Sequence, residues 1–186
     1  MPATKRPRRE EQRHVCEPCA LKSRPWGAPT EVAMNAKPGH ASLRKGRVSL
    51  EGQIYLVTTT TLERQAFFAD FKAAQAAAQV FEDKAVLADA RLLAWVLMPD
   101  HFHGLLQLGE KTSLQNMVNR LKSASARRAN RVMGREGPLW ARAYYDHALR
   151  REEDSLETAR YIVANPVRAG LVRCVADYPF WNAIWL

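Results

Sequence analysis

Two apolar runs, Leu92–Met98 and His101–Leu108, stand back to back with only Pro99 and Asp100 between them. Each run is too short for a core helix and suits a buried strand. The proline-containing break stops one strand and lets another begin. The pair therefore forms a hairpin or a single kinked strand. Apolar residues on both sides of His101 and His103 place the two histidines on a central strand. Polar groups there are costly unless something uses them.

The rest of the chain supplies partners for this pair. Gln53–Thr61 is rich in β-branched and aromatic residues and reads as a strand. Phe67–Ala85 carries many alanines, with Phe71, Ala74, Ala78 and Phe81 at helical spacing. Thr112-Ser-Leu-Gln115 resembles a capping box, and Leu114, Met117, Val118 and Leu121 follow as an apolar helical stripe. Gly134 and Gly137-Pro138 end that helix. Leu139–Leu149 reads as a third strand region, and Asp154-Ser-Leu-Glu157 as the cap of the last long helix. That helix ends or kinks at Asn165-Pro166, because the residue before proline avoids helical geometry. Tyr178–Leu186 is an aromatic tail. The order predicts an α+β fold, a mostly antiparallel sheet with helices on one face.

A chain of 186 residues holds one domain with a core and little more. Residues 1–42 combine six prolines with scattered charge and no periodicity, and read as a disordered basic extension. Residues 43–186 are then the folded domain. Met34 opens a polar, basic lead-in and is a candidate for the true start of translation. Cys16 and Cys19 form a single CxxC, one half of a zinc site, and solvated thiols are the simpler reading. No apolar run approaches the roughly 20 residues of a membrane span. No apolar stretch follows the basic N-terminus as in a secretory signal. A cytoplasmic protein with no membrane partner is expected.

Net charge is +9 and unevenly placed. Residues 1–50 hold eleven Lys and Arg against four Asp and Glu, and residues 111–150 nine against two. Two basic blocks in an otherwise balanced chain point to a polyanion. Arg120, Lys122, Arg127 and Arg128, with Arg142 and Arg150, can neutralise phosphates. Arg44, Lys45 and Arg47 form a basic arm before the first strand. Trp140, Tyr144 and Tyr145 can stack unpaired bases or simply pack in the core.

Residues two apart in a strand share a face, so the imidazoles of His101 and His103 converge while Phe102 turns away. Two convergent neutral imidazoles suit a metal, although a pair of strand histidines is often structural. Tyr161 and Asn165 lie four apart on one helix face. A phenol with a cation nearby can act as a nucleophile. The plain alternative is a packed tyrosine and an asparagine cap. His147, beside Asp146, assists proton transfer or makes a structural hydrogen bond.

The stretch AWVLMPDHFHGLLQL resembles the HUH motif, His-hydrophobic-His, of single-tyrosine transposases. LWARAYYDHALR and ARYIVANPVRAGLV resemble the matching segments of REP-associated tyrosine transposases, a bacterial branch of that group. The three motifs occur in the family's order over residues 45–182. The resemblance implies a ferredoxin-like (RRM-like) α+β fold. It makes His101 and His103 metal ligands, Asn165 the third ligand and Tyr161 the nucleophile, with Mg²⁺ or Mn²⁺ as the cofactor. Tyr144 and Tyr145 are rival nucleophiles by residue type, and the motif favours Tyr161. Ala141 departs from the pattern, since many relatives carry Gln there. The implied activity is cleavage and rejoining of single-stranded DNA near hairpins through a 5′-phosphotyrosine, by a monomer or a homodimer. A non-catalytic single-stranded nucleic-acid-binding module on the same fold, or a phosphodiesterase using water, would share many of these features.

Overall fold

The structure, a computed structural model, describes residues 51–150 and 155–185. The expected disorder of residues 1–42, the Cys16/Cys19 pair, Met34, the basic arm of Arg44, Lys45 and Arg47, and the Asp154 cap all lie outside the described residues.

The apolar pair forms a hairpin. Strands β2 (Arg91–Met98) and β3 (His101–Gln107) run antiparallel, with Met98 opposite His101, so Pro99 and Asp100 make a two-residue connection. β1 (Ile54–Thr60) pairs with the other side of β3 along its whole length. β4 (Tyr145–Ala148) flanks β1, and β5 (Trp181–Ala183) flanks β2. The sheet order is β4-β1-β3-β2-β5, antiparallel throughout, with the His-Phe-His strand in the middle.

Alternation along the strands sorts the core into two clusters. Phe102 and Leu106 of β3 join Tyr55, Val57, Trp95 and Leu97 on one side. Helices α1 (Phe71–Phe81) and α3 (Leu114–Met133) cover that side with Ala74, Ala77, Phe81, Met117, Val118 and Leu121. Leu105 joins Ala94, Val96 and Met98 on the other side, against Ala159, Ile162 and Val163 of α4 (Ser155–Val163). A bulge between Leu92 and Ala94 turns both Leu93 and Ala94 toward α4. The α+β antiparallel architecture is the one expected. The layering is fuller than helices on one face, because β2 and the middle of β3 are apolar on both sides and α4 covers the second.

The local elements differ from the sequence reading where side chains compete. The predicted helix over 67–85 divides into a 3-10 turn, α1 and the short α2 (Lys84–Leu87). Asp70 and Asp83 interrupt it by accepting from the backbone N–H groups of Ala73 and Ala85, at 2.8 and 3.0 Å. Phe71 lies off the buried stripe at 56% exposure, and Ala73, Ala77 and Val80 fill it instead. The cap of α3 is Ser113, whose hydroxyl accepts from the Asn116 N–H, because the Thr112 hydroxyl is given to Asp89. Gly134 ends α3 at a φ of 61°, the left-handed geometry glycine takes freely.

The predicted strand over 139–149 shrinks to β4 plus one bridge between Thr61 and Trp140. The Trp140 indole N–H donates to Ser125 Oγ at 3.0 Å, and Lys122 Nζ donates to the carbonyls of Ala141 and Arg142. These ties hold residues 140–142 against α3 rather than in the sheet. The aromatic tail supplies β5, too short to read as a strand from periodicity.

Gly104 sits beside the Phe102 ring, and a Cβ there would lie 2.7 Å from two of its ring carbons. That ring is itself buried against Phe81, with centroids 4.5 Å apart. Gly104→Ala should therefore cost about 1–3 kcal/mol of stability by overpacking, measured as a lowered urea midpoint with an unchanged slope.

Candidate active site

The histidines project from β3 toward the α4 side of the sheet, as Leu105 does. Each has its Nδ1 engaged. His103 Nδ1 lies 2.8 Å from Thr58 Oγ1, directly across the strand pair. His101 Nδ1 lies 2.5 Å from Asp100 Oδ1. With the proton on Nδ1 in each ring, Nε2 carries the free lone pair. Fixing one nitrogen so that the other can ligate is the usual support of a metal-binding histidine. The two rings stand 4.8 Å apart, edge to face.

Further residues brace the pair. Arg64 Nη1 donates to Asp100 Oδ2 at 3.1 Å. Thr61 holds the Asp100 carbonyl through its N–H at 2.8 Å, and its hydroxyl lies between that carbonyl, at 3.0 Å, and the Gln65 carbonyl, at 2.7 Å. Arg64 and Glu63 hold φ of 54° and 53°, a region side-chain-bearing residues seldom occupy. Burial alone would raise the Asp100 carboxyl, but the hydrogen bonds and charges of His101 and Arg64 hold it below its ordinary value. His103 is lowered to about 3, first by burial and then by the charges of His101, Arg168 and Arg64. It is a neutral imidazole at any physiological pH, the form that binds metal.

On α4 and the following turn α5 (Asn165–Arg168), Tyr161, Asn165 and Arg168 recur at helical spacing and form one stripe. Tyr161 and Asn165 are half-buried and Arg168 is exposed. Asn165 Nδ2 donates to the carbonyls of Ile162 and Tyr161, at 2.8 and 3.2 Å. It thus closes α4 as an asparagine cap would. Its Oδ1 has no hydrogen-bond partner among the described residues. Those residues contain no group of three His, Cys, Asp or Glu able to hold a metal.

The expected DNA-contacting residues scatter. Trp140 is a core residue, 6% exposed and 5.1 Å from the Phe68 ring, so it is no stacking platform. Arg120 donates to the Val86 carbonyl, Lys122 to the 141–142 segment, and Arg128 pairs with Asp83 at 2.5 Å. These three brace α3 before they serve a ligand. Arg127, Arg142 and Arg150 are exposed. All of α3 lies on the sheet side opposite the histidines. Tyr145 belongs with them instead, since it stands opposite Thr58, which stands opposite His103. His147 takes the same side and Asp146 the other, as neighbours in a strand must. The brace residues Thr58, Arg64 and Asp100, and the stripe residue Arg168, escaped the sequence reading. Only Asp100, adjacent to His101, and Arg168, seven after Tyr161, left a trace in the spacing.

The sequence profile described as Transposase IS200 like matches residues 49–165. The chain belongs to the IS200-like transposase family. The matched span contains His101, His103, Tyr161 and Asn165. Among relatives of this IS200-like chain, a protein of Haemophilus influenzae assigned as a REP-associated tyrosine transposase is 32% identical over 98 residues. The REP-associated tyrosine transposase of Escherichia coli K12 is 30% identical over 87 residues. Each alignment covers 47% of this chain, and the chain spans 56% and 50% of those relatives, about half their length. A solved structure of a REP-associated tyrosine transposase bound to a REP hairpin has the same fold. Its TM-score is 0.57 at 23% identity, over 73% of this chain and 79% of that one. Among the described residues no helix is long and apolar enough to cross a membrane.

The depressed His103 value has a consequence for stability. The unfolded chain binds a proton there below about pH 6.5, whereas the folded chain resists it down to about 3. Stability should fall as pH drops through that window, because the unfolded state then binds more protons. Urea melts at pH 7 and pH 5 should show the loss, and His103→Leu should flatten it; an equal loss in that variant would rule out His103 as the source.

Proposed function

We propose that this chain cuts and rejoins single-stranded DNA beside hairpins, with Tyr161 as nucleophile and a 5′-phosphotyrosine as intermediate. The observation that carries this reading is the shared sheet face. His101 and His103 keep Nε2 free on the side covered by α4, the helix that bears Tyr161. The family membership and the REP-associated relatives support the same reaction.

The donor set suits a divalent cation, Mg²⁺ or Mn²⁺. His101 and His103 would hold it through Nε2, with Asn165 Oδ1 as the third ligand. No carboxylate joins them, so binding is weak and is completed by water and DNA phosphate. When bound, the cation supplies positive charge that polarises the scissile phosphate. Thr58 and Asp100 hold the imidazoles in orientation. Tyr161 Oη bonds to phosphorus as the P–O3′ bond breaks. The 3′-oxygen takes up a proton and leaves as a free hydroxyl, while the phenol gives up its own. The phosphotyrosine keeps the diester energy, so a second 3′-hydroxyl can reverse the exchange without ATP.

The DNA path follows from what α4 leaves open. α4 packs on β2, β3 and β5, and the β1–β4 half of the same face carries Tyr145, 50% exposed. The strand crosses there, with a base stacked on Tyr145 and phosphates near Arg142 and Arg150. Arg44, Lys45 and Arg47 are proposed to hold the hairpin. Arg127, Arg120, Lys122 and Arg128 meet only DNA that wraps round the sheet edge.

Incubation with a labelled hairpin oligonucleotide and Mn²⁺, followed by a denaturing gel, tests the reaction. The expected result is a protein–DNA band that Tyr161→Phe abolishes with DNA affinity retained. Cleavage without the band would favour attack by water, and binding without cleavage would favour a non-catalytic module. Tyr145→Ala should weaken single-strand binding by about 1–3 kcal/mol in a gel-shift titration and still form the band. Loss of the band in Tyr145→Phe, but not in Tyr161→Phe, would move the nucleophile to β4.

A further inference from the structure

The Arg168 guanidinium lies over the Tyr161 ring, 4.3 Å from its centroid. Among the described residues no carboxylate pairs with it, although Arg64 and Arg128 each have one. Its side chain is exposed. It ends the stripe that begins at Tyr161 and includes Asn165. Stacking on an aromatic face leaves the N–H edges of a guanidinium free, and those edges match the paired oxygens of a phosphate. Tyr161 Oη belongs to the ring that the guanidinium covers, so a phosphate attacked by Oη comes to the same side-chain pair.

We infer that Arg168 clamps the Tyr161 ring through its stacked face and contacts the non-bridging oxygens of the scissile phosphate through its edges. The inference rests on the reading of Tyr161 as nucleophile. One group then serves two purposes. It fixes the direction of attack, and it offsets charge on the phosphate as the Oη–P bond forms. A surface cation–π pair at a helix end would do neither, and would contribute only modest stability.

The test uses the full chain, a labelled hairpin oligonucleotide with single-stranded flanks, and Mn²⁺. Wild type, Tyr161→Phe, Arg168→Gln, Arg168→Ala and Arg168→Lys are compared for the rate of covalent adduct formation at saturating DNA, for DNA affinity, and for Tm. The expected result is a rate at saturating DNA about tenfold or more slower in Arg168→Gln and Arg168→Ala, with Tm near wild type and only the smaller, severalfold loss of affinity that one phosphate contact carries. Arg168→Lys, which keeps the charge and loses the planar fork, should recover part of the rate. If both neutral variants form adduct at the wild-type rate while Tyr161→Phe forms none, Arg168 is a surface pair and the inference fails alone. If affinity or Tm falls in step with the rate, the role is in binding or folding, and the clamp is refuted. An adduct that survives Tyr161→Phe, or a wild type that forms none, overturns the nucleophile assignment and the clamp with it.

Discussion

The register of the β2–β3 hairpin decides which side of the sheet each residue of the His-Phe-His run takes. With two residues in the connection, Met98 faces His101, Leu97 faces Phe102, and Val96 faces His103. Phe102 and Leu106 then enter the core under α1 and α3, and the histidines emerge on the α4 side. A slip of one residue would turn both imidazoles under α1 and α3 and send Phe102 to the α4 side. In the register formed, Trp95 and Leu97 of β2 pack on the Phe102 side, and Val96 and Met98 on the Leu105 side. The site depends on that register because β1 delivers Thr58 opposite His103 only in this alignment.

Orientation of the imidazoles is the second layer. A histidine free to rotate offers either nitrogen and holds no fixed geometry. Here the Nδ1 atoms are occupied by Thr58 and Asp100, and Asp100 is itself held by Arg64 and Thr61. The brace reaches into a turn with two strained residues, Glu63 and Arg64. Backbone strain of this sort persists where surrounding contacts over-determine it. The tie from Arg64 to Asp100, and from there to His101, gives that turn a purpose in the site.

Much of this was legible in the sequence because periodicity reports which face a residue takes. The short apolar runs, the His-x-His spacing and the Tyr161–Asn165 interval each survive in three dimensions. What escaped depended on contacts between distant segments. Trp140 reads as a base-stacking aromatic until Ser125 and Phe68 are seen around it. The basic helix reads as a DNA surface until its packing face sets it opposite the histidines. Thr58 is one of four consecutive threonines, and only strand pairing singles it out. β5 has three residues and is a strand because β2 offers it an edge.

On the proposed reading, His101 and His103 present Nε2 jointly to one ligand on the sheet face covered by α4. Crystals of the chain soaked in MnCl₂ and measured at the manganese absorption edge test it directly. One strong anomalous peak is expected, bonded to Nε2 of both histidines, with their Nδ1 atoms still on Thr58 and Asp100. A peak reached through Nδ1, or a strong peak elsewhere with none at the pair, would contradict it.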